Sequence, residues 1–310
     1  MPNTLRNFTK LIITLVFSTT FCFANEENSI ERKWDFGIGL GYGNSSNPFA
    51  GADDIPSYLT LDFSIYGKKF FFDNGEFGYT FIDKPDFGLN IIATYNSERI
   101  YYSYLNEVGI NVVNTGNTNL IITSGSPIIE IDSDTVITTP QLPPSPPPPD
   151  FEPFPIGEFT LPFEIPNRDL SLNLGVEFIY DSRFSNISYQ ITKDVIGVHS
   201  GMDMILNFSK SWTLDRFSFS ANLGFHWKSA QLVDYYYGID YNFESYINLK
   251  YSGQTSIDTF MGIKANYRIS NNLSFVASYN YNRFGSSIRN SPIINEDYKQ
   301  VIFTGLFYRF

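Results

Sequence analysis

The chain has 310 residues, a formal net charge of −11 and 17 % aromatic residues, among them 30 Phe and 21 Tyr, yet its mean hydropathy is only −0.14. The acidic balance argues against a nucleic-acid binder, whose phosphate partner needs a basic surface. So many rings must either fill a dense core or stand against lipid.

Residues 1–24 read as a secretory signal peptide. Arg6 and Lys10 form a basic start, Leu11–Phe23 is mostly apolar, and Cys22-Phe23-Ala24 fits a small-x-Ala cleavage pattern. A transmembrane anchor is the alternative, but a spanning helix needs about 20 apolar residues. A lipoprotein signal at Cys22 is a third reading, disfavoured by Phe21 just before it. Cleavage after Ala24 would remove the single cysteine, and with it any disulfide. Residues 25–33, "NEENSIERK", are then a short periplasmic tail. No later stretch reaches the roughly 18 apolar residues of a spanning helix. A membrane crossing would therefore need a closed barrel, which leaves no backbone group unpaired in lipid.

From Trp34 onward a period of two recurs. In "FGIGLGYG", Gly37, Gly39, Gly41 and Gly43 share one face, and Phe36, Ile38, Leu40 and Tyr42 the other. The spacing is wrong for a dinucleotide loop and no helical pattern follows. As the strand Trp34–Tyr42, the run predicts a lumen wall closely approached by something bulky. Ser57–Tyr66, Lys69–Ile82, Asp86–Tyr95 and Glu98–Val108 follow as strands. Lys69–Ile82 is read as one bulged strand, although its "DNG" could instead be a turn.

Residues 109–168 differ in composition. Eleven of the 17 prolines lie between Pro140 and Pro166, and residues 100–167 hold eight acids and no Lys or Arg. Such a stretch is stiff, extended and solvated. It is read as an acidic surface insertion on an outer loop, or as a recognition arm or partial lid.

The strands resume with Asp169–Tyr180, Phe184–Lys193, Ser200–Ser211, Asp215–Lys228, Thr255–Tyr267, Asn271–Arg283 and Tyr298–Phe310. In "DRFSFSANLGFHW", Phe217, Phe219, Ala221, Leu223, Phe225 and Trp227 oppose Ser218, Ser220, Asn222, Gly224 and His226. "NLSFVASYNYN", "DLSLNLGVEFIY" and "SIDTFMGIKANYR" alternate in the same way. Their apolar faces carry no charge, as a lipid face requires when a midplane cation costs about 2–4 kcal/mol. Glu177, Lys264 and Arg268 fall on the opposite face. These runs are longer than the usual soluble strand of about 5–6 residues. A soluble β-sandwich also alternates, but it explains neither the ring content nor a final strand with Leu306, Tyr308 and Phe310 on one face.

The reading is therefore all-β: a transmembrane antiparallel up-and-down β-barrel of about 12 strands, or 14 if the uncertain segments divide. An even count puts both ends in the periplasm. Tight connections near Gly67, Asn96, Asp181, Trp212 and Ile269 alternate with longer ones that include 43–56, 109–168, 229–254 and 284–297. Short periplasmic turns and long outer loops are the expected asymmetry.

Chemistry has little purchase. His199 and His226 are the only histidines, and no Gly-x-Ser-x-Gly or His-Glu-x-x-His run occurs. His226 projects into the lumen in this register, and His199 falls in a short outer loop. A His–Ser–acid site would draw on Ser200 and Asp203. Asp53-Asp54 is the nearest thing to a metal cluster. Both are better read as solvated groups, so no catalytic, cofactor or metal residues are assigned.

Several stretches resemble the outer-membrane family of the MltA-interacting protein and OmpV. They are "GLGYGNSSNPFAGADDIPSYLTLDF", "GKKFFFDNGEFGY", "KDVIGVHSGMDMIL", "DYYYGI" and above all "RFGSSIRNSPIINEDYKQVIFTGLFYRF". Ser287 stands where that pattern has an acid, Ile294 where it has valine, and the Pro-rich insertion is unlike it. The resemblance implies a Gram-negative outer-membrane barrel. It also implies a scaffold joining murein-cleaving and murein-synthesising enzymes, or roles in osmotic response, adhesion or permeability. The partners expected are membrane lipid and lipopolysaccharide, the barrel-assembly machinery through the strand ending at Phe310, and periplasmic murein enzymes. A passive solute channel, or an adhesin acting through the outer loops, is the alternative.

Overall fold

A computed structural model of the chain describes residues 34–96, 98–99, 108–114, 120–124, 158–163, 168–243 and 247–310. The predicted signal peptide, the tail at 25–33 and most of the Pro-rich stretch lie outside them. The strands are β1 (Trp34–Ser45), β2 (Ile55–Tyr66), β3 (Phe70–Asp73), β4 (Glu76–Lys84), β5 (Phe87–Tyr95), β6 (Val108–Asn114), β7 (Leu120–Ser124) and β8 (Glu158–Phe163). They continue as β9 (Leu172–Asp181), β10 (Asn186–Asp194), β11 (Met202–Leu214), β12 (Phe217–Lys228), β13 (Ile239–Phe243), β14 (Ile247–Tyr251), β15 (Ser256–Arg268), β16 (Leu273–Arg283) and β17 (Tyr298–Arg309). Among the described residues, two short helices with defined bounds interrupt the outer loops, α1 (Ala230–Tyr237) and α2 (Ser286–Arg289).

Twelve strands close an antiparallel barrel in the order β1-β17-β16-β15-β12-β11-β10-β9-β5-β4-β3-β2. The remaining strands form a β13–β14 hairpin and a three-stranded sheet, β7-β6-β8. Alternation sets the two faces of the wall. Leu223 and Ile263 are 56 % and 60 % exposed, which only an apolar solvent would tolerate across a whole face. Rings gather at both ends of that face. Tyr42 meets Tyr58 at 6.2 Å and Tyr281 stacks on Tyr298 at 5.4 Å on the outer side. Phe217 packs on Tyr267 at 4.7 Å and Tyr308 on Phe310 at 5.0 Å on the other. These are the two aromatic girdles of a membrane barrel.

The glycine face of β1 is approached as expected, by rings of β17. A Cβ at Gly37 would lie 2.2 Å from the Phe307 ring, and one at Gly43 would lie 3.0 Å from that of Phe303. At Gly41 the neighbour is backbone, Thr304 O at 2.1 Å. Glycine here lets the first and last strands close on one another.

Four expectations are corrected. Lys69–Ile82 is not one bulged strand but the hairpin β3–β4, turning at Asn74 (φ 46°) and Gly75 (φ 100°). Asn-Gly is the turn that matches strand twist, and this local signal outweighed the run's continuity. Glu98–Val108 is not a barrel strand: Glu98 lies in a turn, Arg99 is helical, Val108 opens β6 of the separate sheet, and the residues between lie outside the described ones. The tight turn expected at Asn96 is thus the root of the longest outer loop, and the periplasmic turn falls at Pro85–Asp86. The turn expected near Trp212 falls instead at Asp215–Arg216, because β11 runs on to Leu214.

The wall is uneven on one side. β2 pairs with β3 only through Ser64↔Asp73, Ile65↔Phe72 and Tyr66↔Phe71. The Asn74 side chain and backbone then bind the N–H and carbonyl of Phe63, both at 3.0 Å. Beyond that, Ile55–Asp62 have β1 on one side and no strand on the other among the described residues.

Candidate functional site: the outer cap and the lumen beneath it

The outer mouth is covered by loops that carry a small core of their own. Phe49, Ile55, Leu232, Val233, Tyr236, Tyr237, Ile239, Phe284, Ile288, Ile293 and Ile294 pack together and are buried. Helix α1 lies at the centre, and Gly238 ends it with its N–H on the Asp234 carbonyl. Apart from the short β3–β4 turn, the outer connections with described residues reach it or its neighbours. From the β1–β2 loop, Phe49 stacks on Tyr237 at 6.0 Å and bridges to Ile294. From the base of the β5–β9 loop, Asp169 N–H donates to the Tyr235 hydroxyl at 2.9 Å, and the Arg168 guanidinium lies 5.0 Å from the Tyr235 ring. His199 of the β10–β11 loop lies 5.8 Å from the Tyr236 ring. Ser291 of the β16–β17 loop donates to the Tyr237 carbonyl at 2.6 Å.

Under this core sits a buried ionic knot. Lys228, the last residue of β12, is 1 % exposed and lies 2.6 Å from Glu98 and 2.9 Å from Asp258. The Tyr237 hydroxyl also donates to Glu98, at 2.6 Å, and Gly285 N–H to Asp258 at 2.8 Å. Burial alone would push the Glu98 carboxyl up. The Lys228 ammonium, aided by Lys299 and Tyr237, holds it well below the usual carboxylate range. Glu98 thus fastens the root of the long acidic loop to β12, to α1 and, through Lys228, to β15. Neither Lys228 nor Glu98 is singled out by sequence; the only signal is that Lys228 closes an alternating run on its lumen face.

The histidines do not assemble a catalytic site. Gly201 N–H donates to His199 Nδ1 at 2.9 Å, so the ring proton is on Nε2 and points to Ser171 Oγ, 3.0 Å away. That tautomer cannot accept the Ser171 proton, and Ser171 is fully buried. Burial also lowers the His199 pKa, against the pull of Asp194 and Asp203, which favours the neutral ring. Ser200 and Asp203, the other members of the conceivable triad, are elsewhere engaged. Ser200 N–H binds Asp194 at 2.9 Å, and Asp203 faces His226 at 3.4 Å and accepts from Thr192. Asp54 accepts from Asn44 at 2.8 Å and from Asn47 N–H at 3.2 Å, and no metal-binding group of three side chains occurs among the described residues.

The lumen is polar, as predicted. Glu177 accepts from Asn90 at 2.8 Å and from Gln190 at 2.9 Å, while Arg309 lies 3.1 Å from Asp35 and 3.4 Å from Asp62. A closed wall with an apolar outer face, two girdles and a polar interior defines an outer-membrane β-barrel. The chain belongs to the family described as MltA-interacting protein MipA, whose profile matches residues 37–310. YiaT of Escherichia coli (strain K12), named as an outer membrane protein, is 25 % identical over 47 % of this chain and 60 % of its own length. The MltA-interacting protein of the same strain is 19 % identical over 46 % of this chain and 58 % of its own. The chain thus matches about three fifths of the length of these relatives. Among solved structures, a Pseudomonas aeruginosa FadL homologue gives a TM-score of 0.38 at 8 % identity, covering 89 % of this chain and 90 % of that one. A loop-deleted OmpT of Vibrio cholerae, an outer membrane protein, gives 0.32 at 7 %, covering 89 % and 99 %.

Proposed function

We propose that this barrel is an interaction protein of the outer membrane, a scaffold docking periplasmic murein-cleaving and murein-synthesising enzymes, and not an open pore. The observation that carries the reading is the cap: loops from around the outer rim share one core and one buried ionic knot over the mouth. The name of the 19 % identical relative supports the choice of partner. The docking face available in the periplasm is the ring of short turns plus the tail at 25–33, reached after removal of residues 1–24. Lipid and lipopolysaccharide cover the apolar wall, and the strand ending at Phe310 engages the assembly machinery.

A hydrated lumen also favours a passive channel, so the two readings meet in one measurement. In planar bilayers the purified barrel is expected to be electrically silent; steady ohmic openings would establish the channel instead. Pull-down of a lytic transglycosylase and a murein synthase from a periplasmic extract tests the docking. It should succeed with the full chain and weaken without residues 25–33.

A further inference from the structure

Lys210 stands on the lipid-facing side of β11, four residues before the strand ends. It alternates with Phe208 and Trp212, which pair with Leu223 and Phe219 of β12, all on the apolar face. Its own partner there is Ala221, whose short side chain leaves room beside it. On the other side β10 has already ended, because its first residue, Asn186, pairs with Ser209. The turn between β9 and β10 lies there instead, and Lys210 Nζ donates to the Arg183 carbonyl of that turn at 3.0 Å. A cation on a lipid face bends toward the nearest water. This one ends where the neighbouring strands end, at the height of the headgroups.

Further charge gathers around it. The Arg183 guanidinium lies 4.9 Å from the Phe184 ring, and Phe184 and Trp212 are 73 % and 52 % exposed. Lys84 ends β4 opposite Phe87, on the lipid-facing side, and its turn touches that of Arg183 through Asp181 N–H on the Asp86 carbonyl at 3.1 Å. Among the described residues no carboxylate lies within ion-pair distance of Lys84, Arg183 or Lys210. Asp181 is engaged by Asn186 at 2.7 Å instead. The other half of the barrel differs. At the same end, the lipid-facing positions of β12, β15, β16 and β17 are Phe217, Tyr267, Leu273 and Tyr308, with no cation among them.

We propose that Arg183 and Lys210, with Lys84 on the adjoining hairpin, form a site for an anionic phospholipid of the periplasmic leaflet. Its phosphate accepts from the guanidinium and the ammonium, which no carboxylate neutralises. Its acyl chains run up the wall along Ile187 and Phe208, which pair there. Trp212 stands beside the headgroup, as indoles do at a membrane interface. The cations favour a headgroup with net negative charge, such as phosphatidylglycerol, over a zwitterionic one whose own ammonium they repel. The site is on the outside of the wall, independent of the cap and of the periplasmic docking proposed above.

The test uses the full chain folded into phosphatidylcholine vesicles. Trp34→Phe with Trp227→Phe leaves Trp212 as the single tryptophan. In a second protein Trp212→Phe and Phe275→Trp are added, which moves the indole to β16, between Tyr267 and Leu306 in the cation-free half. The probes are phosphatidylglycerol and phosphatidylcholine, each brominated on its acyl chains and added at the same small fraction. Phosphatidylglycerol is expected to quench Trp212 several-fold more than phosphatidylcholine does, while the two quench the Phe275→Trp indole equally. Arg183→Gln with Lys210→Gln should remove the preference at Trp212 and keep the heat-modifiable gel migration. Inorganic phosphate, at an ionic strength matched with chloride, should leave the preference in place. The proposal is overturned by equal quenching of Trp212 by the two lipids, by the same preference at both positions, by a preference that survives the double substitution, or by one that inorganic phosphate displaces. Should the double variant fail to fold, the comparison of the two tryptophan positions decides.

Discussion

Lys228 has two carboxylates and almost no exposed surface. Removing it leaves Glu98 and Asp258 facing each other in a buried space, and breaking a buried pair costs about 3–5 kcal/mol. Glu98→Gln leaves the Lys228–Asp258 pair intact, and losing a charged hydrogen bond costs about 1.5–3 kcal/mol. Lys228→Met should therefore expose the outer loops to protease far more than Glu98→Gln, with the barrel's heat-modifiable shift kept in both. Acid should act on the same cap. His199 and Glu98 both have pKa values lowered by folding, from 6.5 and 4.5. Each contributes stability that is full above its unfolded value and is lost as pH falls through its folded one. Loop proteolysis should thus rise as pH drops below about 6.5, the ordinary histidine value, and His199→Gln should flatten the first part of that rise. In sequence, Lys228 is only the end of an alternating run. Its partner lies 130 positions away, inside a segment whose local pattern reads as strand, so the knot is a product of tertiary packing.

Among elements, the seam between β1 and β17 is the most legible. Its bare glycine face announces a close neighbour, though not which residue supplies it. Gly37→Ala would drive a methyl into the Phe307 ring, and overpacking of this kind costs about 1–3 kcal/mol. Phe307→Ala should recover most of that loss in the double variant, read as the urea midpoint of the heat-modifiable band. Gly41→Val should have no such rescue, because its obstacle is the β17 backbone. The hairpin at Asn74–Gly75 is the less legible element. An aromatic-rich run of fourteen residues reads as one bulged strand although its Asn-Gly could turn it, and that dipeptide is the stronger determinant of strand pairing. Counting one strand too few there and one too many at Glu98 cancels. The total and the sidedness of every later loop come out unchanged, for a reason unrelated to their support.

For the whole molecule, the apolar exterior and polar interior follow from a period of two, and the family pattern runs along nearly the entire wall. The cap does not follow from periodicity. Its core is assembled from loop residues such as Phe49, Val233 and Ile293, each unremarkable among its neighbours. Replacing residues 230–237 by a Gly-Ser linker should remove that core and turn a silent barrel into a conducting one in planar bilayers. If conductance stays at zero, side chains within the lumen obstruct it and the cap is not the barrier.

Ile38 faces Tyr308 across the seam, with almost the full length of the described chain between them. A contact between residues so far apart in sequence forms late, after the hairpins between them have paired. Cylinder formation is then expected as a late event, and until it happens the sheet has two unpaired edges, β1 and β17. Slowing that last step in refolding should yield aggregates rather than a partial tube, read as light scattering that rises as the heat-modifiable band falls.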